Sequence, residues 1–133
     1  MRWLLDTNTC TYVLQGRPAV LAHLQRALPT DLAVSTITLA EAWTGCLKSA
    51  SPQRLRTAWD HLVGPWAIVA FDEVAAEHYA VVRADLEGRG RMIGGNGCQI
   101  AAIALAHGLT VVTHDADEFR RVPGLRVEDW LAS

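Results

Sequence analysis

At 133 residues, half of them hydrophobic, the chain has the length of one domain, able to bury roughly two-thirds of its unfolded surface. A formal net charge of -2 excludes a strongly basic protein that coats nucleic acid, but not an enzyme that handles nucleic acid locally. No apolar run approaches the ~20 residues of a membrane span, so no membrane role is expected.

The first strand is predicted at residues 2–5. A short helix follows from Asn8 to Gln15 and closes at Gly16-Arg17-Pro18. Residues 19–28 carry apolar positions at helical spacing, broken by Pro29. Leu32 to Ile37 reads as a second strand. Thr38-Leu39-Ala40-Glu41 has the spacing of a capping box and predicts a helix to about Ala50. Ser51-Pro52 opens another helix, ended by Gly64-Pro65. Trp66 to Phe71 is a short apolar strand, and Asp72 caps a long helix from Glu73 to Glu87. Gly88-Arg89-Gly90-Arg91 is a flexible basic loop. Asn96 is placed to cap a helix from about Gly97 to His107, with Gly108 as its stop. Leu109–Thr113 is a strand, residues 114–119 a polar turn with room for one helical turn, and Leu125–Val127 a last edge strand. Strands alternating with helices imply a mostly parallel sheet covered on both faces.

Three acids follow apolar runs: Asp6, Glu41 and Asp115. Open parallel sheets bind ligands at the carboxyl ends of their strands. Carboxylates gathered there repel one another and need a cation to stay ionised together. Mg²⁺ or Mn²⁺ prefers such oxygen ligands and can activate a water for attack on phosphorus. Each acid also has a structural reading. Asp6 can cap the helix after it, Glu41 can close the capping box with Thr38, and Asp115 can make an Asx turn.

Thr7, Asn8 and Thr113 offer hydroxyl or amide groups beside these acids. Asp117 is a candidate auxiliary ligand, and Glu118 an exposed turn acid. Of the histidines only His114 adjoins the acids. Arg89 and Arg91 suit bidentate phosphate contacts, or are simply solvated surface. Cys10, Cys46 and Cys98 match neither a zinc pattern nor a disulfide framework and are expected buried and reduced. The first acid comes too early for a signal peptide, which sets the expectation of a cytoplasmic location.

Leu5-Asp6-Thr7-Asn8 and Ser35-Thr36-Ile37-Thr38-Leu39-Ala40-Glu41 resemble the first two motifs of PIN-domain ribonucleases. Residues 93–102, Ile93 to Ala102, resemble the third, and Val112 to Phe119 the fourth. The ending from Val122 to Trp130 is similar to that of VapC toxins. The resemblance covers essentially the whole chain, in the expected order and spacing.

It implies a three-layer α/β/α PIN-like fold over residues 1–133 with a mostly parallel central sheet. It also implies a Mg²⁺- or Mn²⁺-dependent endoribonuclease, the toxin of a type II toxin-antitoxin pair. A VapB-type antitoxin, an RNA substrate and a homodimer, or a higher assembly with antitoxin, come with that expectation. By motif, Asp6 and Asp115 would bind metal, and Glu41 would bind it directly, through water, or help orient the attacking water. Arg89 and Arg91 would contact RNA. Trp43 and Leu47, four apart on one helix face, would meet the antitoxin or belong to ordinary core.

One position departs from the family. The third motif carries an acid directly after the position of Asn96, and here that position is Gly97. Two accounts fit: an Asp-to-Gly change that disarms a toxin, which is preferred, or a natural variant using Asn96 or Asp117 instead. A non-catalytic PIN-like module that holds RNA or a protein is the rival reading. A receiver-like signalling domain fails, because Asp6 stands alone and no third strand ends in a phosphorylatable aspartate.

Overall fold

The computed structural model describes residues 1–132. Ser133, the last residue of the expected domain, lies outside the described residues. Five strands form one sheet: β1 (Trp3–Leu5), β2 (Leu32–Ser35), β3 (Ala67–Val69), β4 (Thr110–Val112) and β5 (Val127–Glu128). All pairings are parallel, in the order β3-β2-β1-β4-β5. The sheet is thus wholly parallel.

Neighbouring strand residues serve opposite faces, as the two-residue period of a strand requires. Leu4, Ala33 and Val111 join the core under helices α5 (Glu73–Gly88) and α6 (Gly95–His107). Leu5, Leu32, Val34 and Val112 join a second core. That core packs on α1 (Thr7–Leu14), α2 (Pro18–Arg26), α3 (Thr36–Lys48) and α4 (Pro52–Val63). Strands buried on both faces read as continuous apolar runs, which is why the sheet was visible in the sequence. Three layers, α/β/α, result. A seventh helix, α7, is the single turn Ala116–Phe119 after β4.

The chain steps outward from β1 to β2 to β3, then returns to place β4 on the other side of β1. The crevice at the carboxyl ends of β1 and β4 is therefore the switch point where such sheets bind ligands.

Several boundaries differ from expectation. Asp6 itself caps α1, its Oδ1 accepting from the Thr9 backbone N–H at 2.9 Å, so the helix starts at Thr7. β2 ends at Ser35 rather than Ile37, because Ser35 caps α3 and its hydroxyl oxygen accepts from the Thr38 N–H at 3.0 Å. Thr38 is thus the third residue of the helix and no capping box with Glu41 exists. α6 begins at Gly95 with Gly94 as its N-cap, so Asn96 sits inside the first turn instead of capping it. The last strand is Val127–Glu128. Asp72 caps α5 and Gly108 ends α6 with a positive φ of 66°, both as expected. The three cysteines are free and buried.

Candidate active site

Asp6, Thr7, Asn8, Glu41, Asn96, Gly97 and Asp115 line one recess of about 140 Å³, together with Ile100 and Phe119. Four separate stretches of chain supply them. β1 delivers Asp6 and α1 delivers Thr7 and Asn8. α3 contributes Glu41 from its second turn, α6 contributes Asn96 and Gly97 from its first, and the turn after β4 contributes Asp115.

Asp6 is buried, 6% exposed. Desolvation pushes its carboxyl above the usual carboxylate range. The Thr113 hydroxyl and the Thr9 N–H pull against that rise, and the charge of nearby Asp115 adds to it. Thr113 is wholly buried, and its oxygen also accepts from the Asp115 backbone N–H at 3.0 Å. One threonine thus fixes both acids, as an outer hydrogen-bonding partner of a ligand does. Glu41 is exposed at the rim, where its Oε1 accepts from the Thr7 hydroxyl at 2.7 Å.

The remaining candidates separate. Asp117 does not line the recess; its side chain is fully exposed, 3.8 Å from Arg120. His114 does not line the recess; its Nδ1 lies 3.0 Å from Asp129 and its ring is edge-on to Tyr12. Arg89 is engaged with Asp85 and donates to the carbonyl of Arg121 at 3.0 Å. Neither Arg89 nor exposed Arg91 lines the recess. Trp43 and Leu47 are both exposed, Leu47 at 79%, so this face is not ordinary core. They border a separate recess of about 390 Å³ between α3 and α4, with the Arg56 guanidinium 4.2 Å over the Trp43 ring.

Two apolar lining residues were missed in the sequence, Ile100 and Phe119. Phe119 lies four residues after Asp115, and Ile100 lies on the helix that carries Asn96. A one-turn spacing from a named polar residue was the available signal.

Gly97 has open chemistry around it. A Cβ there would meet Phe119 Cζ at 3.4 Å, Phe119 Cε2 at 3.8 Å and Ile93 Cδ1 at 4.0 Å, which are ordinary packing distances. Its φ is not positive, so the backbone does not require glycine. An oxygen-only donor set of Asp6, Asp115, Glu41 and Asn96 suits a hard divalent cation in kind. It falls short in number: among the described residues no three His, Cys, Asp or Glu side chains gather closely enough to hold a metal ion. The room for one more carboxylate is at Gly97.

The PIN domain family matches residues 3–125. A tRNA(fMet)-specific endonuclease VapC from Salmonella typhimurium is 33% identical over 130 residues, covering 98% of each chain. Ribonuclease VapC2 from Haemophilus influenzae is 33% identical over 131 residues, covering 98% of this chain and 99% of its own. Among solved structures, DNA-bound VapBC from Salmonella typhimurium aligns with a TM-score of 0.91 at 33% identity, over 98% of each chain. VapBC2 from Rickettsia felis, bound to a DNA fragment from its promoter, aligns at 0.90 and 32% identity, over 98% of this chain and 99% of that one.

Proposed function

The chain belongs to the PIN-domain family, among its VapC ribonucleases, and from that premise we propose that it is the toxin of a type II toxin-antitoxin pair. Its activity is divalent-metal-dependent endonucleolytic cleavage of RNA, weakened in this chain by Gly97. The observation that carries the reading is the convergence of Asp6, Glu41 and Asp115, from three distant parts of the chain, on one recess at the sheet's switch point.

Asp6 and Asp115 would hold Mg²⁺ or Mn²⁺, with Glu41 beside them. When bound, the cation supplies an activated water and neutralises charge building on the phosphate. The chain's own groups do the positioning. The Thr9 N–H and the Thr113 hydroxyl lock Asp6, and Thr113 also sets the turn that carries Asp115. Thr7 fixes one Glu41 oxygen, and the other has no protein hydrogen bond among the described residues, leaving it to orient a water.

A VapB-type antitoxin is the expected partner, since the neighbours in fold are VapBC complexes. The second reading, a module that holds RNA or protein without cutting it, rests on Gly97 alone. Single-stranded RNA incubated with the purified chain and Mg²⁺ or Mn²⁺ tests the two. Slow cleavage abolished by chelator and by Asp6→Asn supports the enzyme. Binding with no metal-dependent cleavage, even in the Gly97→Asp variant, supports the module.

A further inference from the structure

One wall of the acid recess carries Asp115 and Phe119 and is built on α7. A single helical turn does not hold its own place, so this wall depends on contacts with other segments. The facing wall is the first turn of α6, with Asn96 and Gly97. The chain reaches it through an irregular linker after α5, residues 89–94. The walls stand close: a Cβ on Gly97 would lie 3.4 Å from Phe119 Cζ.

Side-chain hydrogen bonds join the linker to α7 and the residues just after it. Arg121, which follows α7, donates from Nη1 to the Met92 carbonyl at 3.0 Å. Arg89 donates from Nη2 to the Arg121 carbonyl at 3.0 Å, while Asp85 on α5 holds the same guanidinium. Glu118, within α7, accepts from the Gly94 N–H at 2.8 Å. Each segment thus gives a side chain to the backbone of the other. Arg89, Glu118 and Arg121 do not line the acid recess. Beneath them Ile93, Phe119 and Val122 are buried in one core, which draws the two segments together. Apolar burial is non-directional, so the separation of the segments is left to the directional bonds above it.

We infer that Arg121 is a positioning residue of the acid recess. With Arg89 it forms a reciprocal clasp that sets the distance between the wall bearing Asp115 and the wall bearing Asn96 and Gly97. It acts on the chemistry only through those walls. The inference rests on the ribonuclease reading above, and it gives Arg89 a place in the frame of the site in place of a contact with RNA. A rival role has the opposite sign. An arginine acting by its charge would repel a cation in the recess, so removing it would tighten metal binding. Removing a clasp lets the ligands part and weakens that binding.

Arg121→Met and Arg89→Met keep an aliphatic stem and remove the donor. Arg89 is exposed, so its variant tests the clasp without opening the core. Amide hydrogen exchange is read by mass spectrometry on the full chain in EDTA. It should quicken about fivefold over residues 92–98 and 115–121 in each variant, the effect of one ordinary hydrogen bond, and stay unchanged in α4. Mn²⁺ alone is then titrated, by electron paramagnetic resonance, into chains that also carry Gly97→Asp. Both variants should bind it about 3- to 10-fold more weakly. Arg121→Lys, which keeps a donor, should lose less than Arg121→Met. Arg54→Met, an exposed α4 substitution, should change nothing. Exchange that does not quicken overturns the clasp. Quickened exchange with unchanged or tighter Mn²⁺ binding overturns the positioning role. Either result leaves the ribonuclease reading standing. A Gly97→Asp chain that binds no Mn²⁺ overturns both.

Discussion

The Thr7 hydroxyl lies 2.7 Å from Oε1 of Glu41 and donates to it, tying the first turn of α1 to α3 across the mouth of the acid recess. The same hydroxyl stands 3.3 Å from that of Thr38. Asp6 is fixed from within the sheet. Glu41, at the exposed rim, depends on this bond for its orientation.

Thr7→Val therefore removes a positioning contact and little stability. In a Gly97→Asp background, kcat for RNA cleavage should fall about tenfold, since small misplacements of a catalytic group are costly. KM should change little, and the melting temperature should reflect less than ~1 kcal/mol, because the bond is solvent-exposed. Thr7→Ser should recover the rate. Equal loss in the serine variant would mean that the threonine methyl, rather than the hydroxyl, matters.

Asp6 carries a stability cost with a definite sign. Burial, with Asp115 adding to it, raises its carboxyl above the ordinary 3.8. The folded chain thus holds this proton more tightly than the unfolded one. The stabilisation is complete below the unfolded value and is lost as pH rises through the raised folded value. Near neutral pH the ionised carboxylate destabilises the fold, a cost accepted for function. Asp6→Asn keeps an oxygen to cap α1 and removes the charge. Its melting temperature should exceed that of the unchanged chain by about 3 °C near neutral pH. The gain should shrink toward about pH 4. Calorimetry showing a gain that grows on acidification would contradict this account.

The layers and the acids were legible in the sequence because both rest on local signals. Leu4-Leu5 and Val111-Val112 serve two cores at once and so read as unbroken apolar runs, and each is followed closely by a polar break. Cap identity was less legible. Ser35 and Thr38 both fit the start of α3, and only the close packing of β2 against its neighbours, which buries Ser35 completely, selects Ser35. That choice frees Glu41 from the capping box and lets it face Thr7. The fates of Asp117 and Arg89 were not legible either. Both hang on which way a one-turn helix and a loop point, and that is set by contacts such as Glu118 with the Gly94 N–H and Arg89 with the Arg121 carbonyl.

Trp43 and Leu47 present an apolar face beside a recess, with Arg56 lying over the indole. A large aromatic at the centre of such a patch commonly contributes 2 kcal/mol or more to an interface. Trp43→Ala should weaken antitoxin binding at least about tenfold by surface plasmon resonance, while circular dichroism and melting stay near those of the unchanged chain. A folded variant with undiminished affinity would move the antitoxin interface elsewhere.

Gly97→Asp should restore the site. The atoms nearest the added Cβ belong to Phe119 and Ile93, at 3.4 Å or more, and the first turn of α6 favours a negative charge. The new carboxylate would face the recess that Asp6, Asp115 and Glu41 already share. Without metal it adds repulsion, so the variant should melt no higher than the unchanged chain in EDTA. With Mg²⁺ at about a hundred times the variant's dissociation constant, the variant should gain about 2.7 kcal/mol of stability and the unchanged chain less. Cleavage of RNA should rise on the order of a hundredfold, the scale of a misplaced catalytic group set right. Expression without antitoxin should become toxic, and adding Asp6→Asn should silence it. Should the unchanged chain bind Mg²⁺ and cut RNA as well as the variant, Gly97 is a tolerated substitution, and Asn96 serves where the aspartate would have stood.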